Sequence, residues 1–307
     1  MSENLLSVDD LIVSFEMYSR GRSKSNLEVI HSLSLDVNKG EIVAVVGASG
    51  SGKSILASAI LGLLPSNANV GGNISYKGQE IDEKSIRKFL GREIAYIPQS
   101  VDYLDPLMKV GKQVVGVYGS KEKQEKLFKR YNLSPETENK YPFELSGGMA
   151  RRILISSAVM GDADLIIADE PTPGLDFKMA METLKHFRHL ADQGTGILLI
   201  THDIELGIEV ADRIAVFYAG SVLELAPVED FVHNKDSLRH PYSRAFIDAL
   251  PQNEFKSIKG VQPYAGNLPK GCVFGPRCYM KDDKCLSSIP MTECRGGKVR
   301  CVHASNS

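Results

Sequence analysis

The sequence predicts an α/β protein, with a helix-wrapped parallel sheet, an antiparallel β subdomain ahead of it, an inserted helical subdomain and a small cysteine-rich C-terminal extension. Three observations carry that expectation. Apolar runs followed by helix-like segments occur three times, within residues 41–64, 165–190 and 196–210. Two stretches of alternating apolar and polar residues precede them. All five cysteines crowd between Cys272 and Cys301, after 271 residues that contain none.

Taken in order, Leu5 to Phe15 and Leu27 to Val37 alternate as a half-buried antiparallel pair would, joined by the polar link Ser19 to Ser25. Glu41-Ile-Val-Ala-Val-Val46 is a continuous apolar run that suits a strand covered on both faces. A glycine-rich turn and a helix over Ile55 to Leu64 follow. The stretch Leu107 to Met160 reads as mostly helical, with Lys121 to Tyr131 strongly charged. Strand then helix returns at Leu165 to Ala168 before Met179 to Leu190, and at Gly196 to Ile200 before Ile204 to Val210. The Pro/Gly-rich segment Lys259 to Pro269 reads as a connector into the cysteine tail.

Composition narrows the function. With 307 residues the chain can bury a substantial core and carry an appended module. Hydrophobic residues are 43% and charged residues 24%, a soluble globular balance. A net charge of -2 gives no electrostatic reason to expect nucleic acid. The longest apolar runs are far too short to cross a bilayer, and the start MSENLLSVDD lacks the pattern of a secretory signal. A cytoplasmic chain with at most a peripheral membrane connection is expected.

Gly47-Ala48-Ser49-Gly50-Ser51-Gly52-Lys53-Ser54 fits the phosphate-loop pattern G-x-x-x-x-G-K-[ST]. Its glycines let the backbone curl so that N–H groups face phosphate oxygens at a helix N-terminus. Lys53 would reach the β- and γ-phosphates of ATP, and Ser54 would ligate Mg²⁺. A strand before it and a helix after it weigh against a plain Gly/Ser turn. Leu165-Ile-Ile-Ala-Asp169-Glu170 delivers two acids to the end of a strand. Alone, such a pair reads as a solvated loop. Beside a phosphate loop, Asp169 is expected to hold Mg²⁺ and Glu170 to act as general base on the attacking water.

Leu145-Ser146-Gly147-Gly148-Met149 resembles the LSGGQ signature of ABC-type ATPases. That resemblance implies roles for further residues. Gln99 in Tyr96-Ile-Pro-Gln99 resembles the glutamine that senses Mg²⁺ and contacts the membrane subunit. Asp176 closes the loop Pro173-Gly-Leu-Asp176 that crosses between subunits, and His202 resembles the switch histidine on the γ-phosphate. Phe15 sits where an aromatic stacks on adenine, although its place among core-type residues equally suits packing. The family's two ATPase subunits close head to tail, so Ser146, Gly147 and Gly148 of one would face the γ-phosphate held by the other. The helix after the signature is expected over Ala150 to Val159.

A narrower resemblance spans nearly the whole chain. Tyr141-Pro-Phe-Glu-Leu-Ser-Gly-Gly-Met149, Ile167 to Thr172, His240-Pro-Tyr242 and Gly271 to Cys278 are similar to the dipeptide, oligopeptide and nickel importer ATPases. Phe143 replaces a usual histidine, Ala150-Arg151 a usual Arg-Gln, and Pro173-Gly174 a usual Thr-Ala. The organisation implied is an ATPase domain over 1–250 with a helical subdomain about 105–160, and a family-type extension over 251–307. The implied function is the ATP-hydrolysing subunit of a membrane ABC importer for peptides, with nickel chelates or oligosaccharides as the alternative. The implied partners are a different second ATPase subunit, two transmembrane permeases and an extracytoplasmic substrate-binding protein, with this chain at the cytoplasmic face of the membrane. A DNA-repair-type ATPase would need a long heptad-patterned insertion, which the short interval from phosphate loop to signature does not provide.

The cysteines follow C-x5-C-x6-C-x8-C-x6-C. In a reducing compartment clustered thiolates more often bind metal than form disulfides, and four suit an iron–sulfur cluster or Zn²⁺. Zinc pairs usually sit closer together, which tilts the reading toward [4Fe–4S]. The pattern in related chains resembles Cys272, Cys278, Cys285 and Cys301, leaving Cys294 as the spare.

Overall fold

The computed structural model describes residues 3–18, 24–233, 235–253 and 255–304. Most of the polar link expected between the first two strands, residues 19–23, lies outside the described residues. In chain order, β1 (Asn4–Tyr18), β2 (Lys24–Asn38) and β3 (Ile42–Val46) lead to α1 (Lys53–Ile60), β4 (Ala68–Tyr76), β5 (Gln79–Glu80) and β6 (Ile94–Ile97). Helices α2 (Val110–Val115), α3 (Lys121–Arg130) and α4 (Gly147–Ala158) form the insertion. Next come β7 (Leu165–Asp169), α5 (Phe177–Asp192), β8 (Gly196–Thr201), α6 (Ile204–Ile208), β9 (Arg213–Tyr218) and β10 (Ser221–Pro227). The chain finishes with α7 (Glu229–Val232), α8 (Pro241–Asp248), β11 (Thr292–Cys294) and β12 (Gly297–Val299).

The main sheet runs β6-β7-β8-β3-β9-β10-β12-β11, and the smaller antiparallel sheet runs β2-β1-β4-β5. Strands β6, β7, β8, β3 and β9 are parallel. Their apolar runs are covered on both faces, as expected of such strands. Ile42, Ala44 and Val46 of β3 enter the core under the helices, whereas Val43 and Val45 enter the core shared with α1 and the antiparallel sheet. Strands β7 and β8 divide in the same way.

The expected pairing of β1 with β2 is present, but β4 was not legible in the sequence. Its Gly71-Gly72 pair accommodates a bulge in β1, where the register shifts between Asp9 and Ile12. Gly72 has φ +84°, and a Cβ there would stand 2.4 Å from the Asp10 carbonyl oxygen.

The insertion is less helical than its composition suggests. Gly116 in a positive-φ conformation ends α2, and Pro135 and Pro142 open short 3₁₀ segments before α4. Helix α4 begins at Gly147 rather than near Ala150, because the Ser146 hydroxyl accepts from the Met149 N–H at 3.3 Å and caps it.

The cysteine-rich extension is joined to the main sheet. Strand β12 pairs antiparallel with β10 through Glu224↔Val299 and Leu225↔Lys298, so the tail covers an edge that would otherwise stand open. The β11–β12 hairpin turns on Arg295 and Gly296, both at positive φ, as a two-residue turn of the primed type requires. Beneath it Glu224, fully buried, accepts from the backbone N–H groups of Arg239 (2.7 Å) and His240 (2.8 Å). The Arg239 guanidinium meets Glu224 at 3.2 Å and Asp230 at 2.7 Å, and its Nε donates to the Cys294 carbonyl at 2.6 Å.

Candidate active site

The phosphate loop leaves β3 and enters α1 directly. Close packing dictates Gly47, and backbone conformation dictates Gly50 and Gly52. A Cβ on Gly47 would lie 2.2 Å from the Phe217 carbonyl oxygen, and Gly52 turns the chain into α1 at φ +108° beside the Phe217 ring. The next turn supports the loop as well, since the Gly220 N–H donates to the Ser51 carbonyl at 3.1 Å. Phe217 and Gly220 lie about 170 residues downstream of the loop, with no motif to mark them.

Lys53 is buried, and its Nζ donates to the carbonyls of Gly47 (2.8 Å) and Ala48 (3.0 Å). Burial lowers its pKa, opposed by the fields of Glu170 and Asp169. Ser54 Oγ lies 3.5 Å from Gln99 Oε1, so these two expected metal-side residues approach each other. Asp169 ends β7 almost wholly buried, and burial raises its pKa despite the hydrogen bond with Ser54 and the nearby Lys53. Its Oδ1 is buried without a hydrogen-bond partner among the described residues. A desolvated carboxylate oxygen beside a lysine and a serine hydroxyl fits a divalent cation, and curled glycines at a helix N-terminus fit a polyphosphate.

Glu170 follows immediately with φ +47°, unusual for a residue bearing a Cβ. Its N–H donates to the Ile200 carbonyl at 2.9 Å, in step with the β7–β8 pairing Asp169↔Ile200. Such strain, of the order of 1–3 kcal/mol, persists where the surroundings over-determine it, and it collects at functional positions. The buried carboxylate meets His202 Nδ1 at 2.8 Å, while the histidine side chain is 58% exposed. A carboxylate accepts here from Nδ1–H, and the neutral ring then keeps Nε2 as an acceptor. The expected base and the expected switch histidine therefore form one unit across β7 and β8.

The remaining expected residues are placed as follows. Ser146 and Gly147 are exposed at the start of α4, and a Cβ on Gly148 would stand 2.8 Å from the Gly174 carbonyl oxygen. Asp176 caps α5, accepting from the Met179 N–H at 2.9 Å. Phe15 lies near the far end of β1, opposite Leu27 and Ala68, and is half-buried against the core shared by the two sheets. Ser49 and Gly50 sit at the open tip of the loop. Arg151 received no role from the sequence. Its burial on α4, level with Ala150, Ile153 and Leu154, marks it as inward-facing.

In the extension, Cys285 is buried and Cys272, Cys278 and Cys301 are half-buried, and none is in a disulfide. Burial raises the thiol pKa of Cys272, Cys278 and Cys301, and neighbouring cysteines raise them further. Thiols that discourage one another's ionisation in this way are relieved by a shared cation. Cys294 lies on β11 opposite Gly297. Asp282 Oδ1 and His303 Nε2 also converge on the Cys285 thiol, at 3.6 and 3.5 Å, and lie 3.5 Å from each other. These oxygen and nitrogen donors were not foreseen.

Comparison with known proteins bears on the whole chain. Residues 30–173 match the family described as ABC transporter, and residues 223–285 match the one described as oligopeptide/dipeptide transporter, C-terminal region. Over 98% of its length the chain is 33% identical to the probable D,D-dipeptide transport ATP-binding protein DdpD of Escherichia coli K12, covering 97% of that protein. It is 34% identical to the oligopeptide transport ATP-binding protein AppD of Bacillus subtilis 168, over 91% of this chain and 92% of that one. Among solved structures, a dimeric ATP-binding cassette bound to ADP and phosphate superposes with TM-score 0.64 at 22% identity, covering 73% of this chain and 99% of that one. That likeness bears on the fold alone.

Proposed function

The chain belongs to the ABC transporter ATPases, in the branch of dipeptide and oligopeptide transport ATP-binding proteins, and on that footing we propose that it hydrolyses ATP to power a membrane importer of peptides. The contact of Glu170 with His202, beside the unpartnered Asp169 oxygen and the Lys53 loop, is the observation that best supports the chemistry.

ATP supplies the phosphoryl group that passes to water, and Mg²⁺ offsets the charge on its oxygens. The amides of Gly47 to Ser54 and the start of α1 bind the phosphates. Lys53 exchanges the carbonyls of Gly47 and Ala48 for phosphate oxygens, at little cost because its charge is already desolvated. Ser54, Asp169 and Gln99 hold the metal side. Glu170 orients the attacking water and accepts its proton, while His202 fixes the carboxylate by donating from Nδ1 and, in the doubly protonated ring, donates from Nε2 to the γ-phosphate. Phe15 stacks on the adenine face. Ser146 and Gly147, exposed on a capped helix end, and the half-buried Gly148 beside them are suited to a phosphate held by a second ATPase subunit, and Asp176 lies on the loop that would meet that subunit. An apolar groove beside Pro98, lined by Leu61, Leu63, Leu90, Tyr103 and Leu154, suits a helix of a permease.

The full assembly we infer is this chain with a different second ATPase, two permeases and an extracytoplasmic binding protein, at the cytoplasmic face of the membrane. Residues 1–250 form the engine, with a helical subdomain near 105–160, and residues 251–307 the family-type extension. For the tail we infer a thiolate-bound metal. The spacing of Cys272, Cys278, Cys285 and Cys301 supports a [4Fe–4S] cluster, and the convergence of Asp282 and His303 on Cys285 favours Zn²⁺ as the second reading. Anaerobically purified protein with iron and a broad absorbance near ~400 nm would select the cluster; colourless protein carrying zinc would select the other.

The assembly is tested by purifying the Glu170→Gln protein from its own cells with ATP present. Two multi-span membrane proteins and a second ATPase should copurify, and the associated binding protein should carry peptides. Copurification of DNA or of soluble partners alone would overturn the transport reading.

A further inference from the structure

Arg151 projects from α4, five residues beyond the capping Ser146, and is only 6% exposed. A buried guanidinium is costly unless its donors and its charge are both answered. Nη1 donates to the Pro98 carbonyl at 2.7 Å, and Nη2 makes a short hydrogen bond to the Gln99 carbonyl. Nε is buried without a partner among the described residues. Asp169 and Glu170 act on the charge through space, against the burial that lowers its pKa. Among the described residues no carboxylate contacts it directly.

Packing alone does not call for this side chain. Ala150, Ile153, Leu154 and Ile155 already anchor α4 to the core. What the guanidinium adds is orientation. One planar fork bound to two consecutive carbonyls fixes the peptide that carries Gln99 in both position and tilt. On its far side, Gln99 reaches toward Ser54. A line of contacts thus runs from the signature helix through Arg151 and Gln99 to the metal side of the phosphate loop.

We propose that Arg151 is a positioning residue, which holds the Gln99 carboxamide in register with Ser54 and Asp169 and transmits displacements of the signature helix to the metal-holding side of the site. The inference rests on the ATPase reading above. Any shift of α4 moves two carbonyls of the Gln99 segment with it, because hydrogen bonds to a charged donor are stiff and directional.

The test uses full-length protein carrying Arg151→Met, Arg151→Gln or Arg151→Lys. The Mg²⁺ concentration for half-maximal ATPase is measured, with nucleotide affinity in Mg²⁺-free buffer and the melting temperature. Methionine retains most of the volume but no donor, and should raise the Mg²⁺ requirement roughly tenfold, the size of one charged hydrogen bond lost. Mg²⁺-free nucleotide affinity should stay within about threefold, because the phosphate loop is untouched. Glutamine, with an N–H₂ for one carbonyl, should recover part of the loss. Lysine, with charge but no fork, should recover less than glutamine. An unchanged Mg²⁺ requirement in the methionine variant, whatever its melting temperature, overturns the proposal. So does full recovery by lysine without recovery by glutamine, which would assign the effect to charge alone. Unsubstituted protein without Mg²⁺-dependent hydrolysis would instead defeat the ATPase reading itself.

Discussion

Replacing Glu170 by glutamine separates nucleotide binding from chemistry, and the structure sets the size of the effect. The carboxylate is 8% exposed and lies 2.8 Å from His202 Nδ1. Glutamine has nearly the same volume and keeps an acceptor oxygen for that N–H, so the contact across β7 and β8 can persist. The positive φ of residue 170 is imposed by the paired strands rather than by the side chain, and it stays. Stability should therefore change by no more than about 1 kcal/mol. What is lost is the ability to take a proton from water. Removing a general base costs about 10²–10⁴ in turnover, or ~2.7–5.5 kcal/mol of barrier. Nucleotide affinity should be unchanged or tighter, since Lys53 keeps Asp169 and the site loses a negative charge. Phosphate release in the steady state and titration with a fluorescent nucleotide measure the two quantities on the same preparation. Turnover within about threefold of the parent, with unaltered affinity, would refute the assignment of Glu170 as base. His202→Ala is a useful companion. It leaves the carboxylate in place but frees its orientation, so turnover should fall while residual activity still depends on Glu170.

Lys53→Ala should weaken nucleotide binding roughly ten- to hundredfold, the worth of a charged hydrogen bond to phosphate; an unchanged Kd by fluorescence titration would contradict the role given to Lys53. Acid should destabilise the fold through His240, which caps α8 by accepting from the Tyr242 N–H at 3.0 Å and whose pKa burial pushes down to about 3. Because the unfolded chain binds that proton near the ordinary 6.5, the stability is fully present above 6.5 and declines toward 3, by up to about 1.4 kcal/mol per pH unit. His240→Asn keeps a capping oxygen that does not titrate, so its urea midpoint should fall less steeply between pH 7 and about 5. Profiles of equal slope would remove His240 from the account. Arg239→Ala should cost about 3–5 kcal/mol, because it leaves the buried Glu224 carboxylate with backbone N–H donors but no counter-charge and releases the Cys294 carbonyl. Faster hydrogen exchange in β12 should accompany the loss, and full protection there would show that the hairpin does not depend on Arg239.

Much of the protein can be read from its sequence because the controlling interactions are local. A strand, eight residues and a helix start are enough to make a phosphate loop, so Gly47 to Ser54 identify themselves. Two-sided burial writes itself as the apolar runs of β3, β7 and β8. Ser146 announces the cap of α4 by its chemistry, although the helix it starts lies three residues earlier than periodicity suggests. Other features depend on partners distant in the chain. Gly72 is needed because β1 bulges at Asp10, Gly47 because Phe217 passes 170 residues later, and Arg151 because the Pro98 and Gln99 carbonyls stand opposite it. The pairing of Glu170 with His202 is of the same kind: each is suggestive alone, and only adjacent parallel strands bring them to 2.8 Å. The tail illustrates both cases. Its cysteines are visible as a cluster in one dimension, whereas the arrival of β12 on β10, and of Asp282 and His303 at Cys285, is decided by packing. Sequence alone determined the elements and the chemistry of the phosphate loop, since a few neighbouring residues fix backbone shape and donor type. Tertiary structure decided which carbonyls, carboxylates and thiols face one another, since that depends on how separate strands and helices close around a shared core.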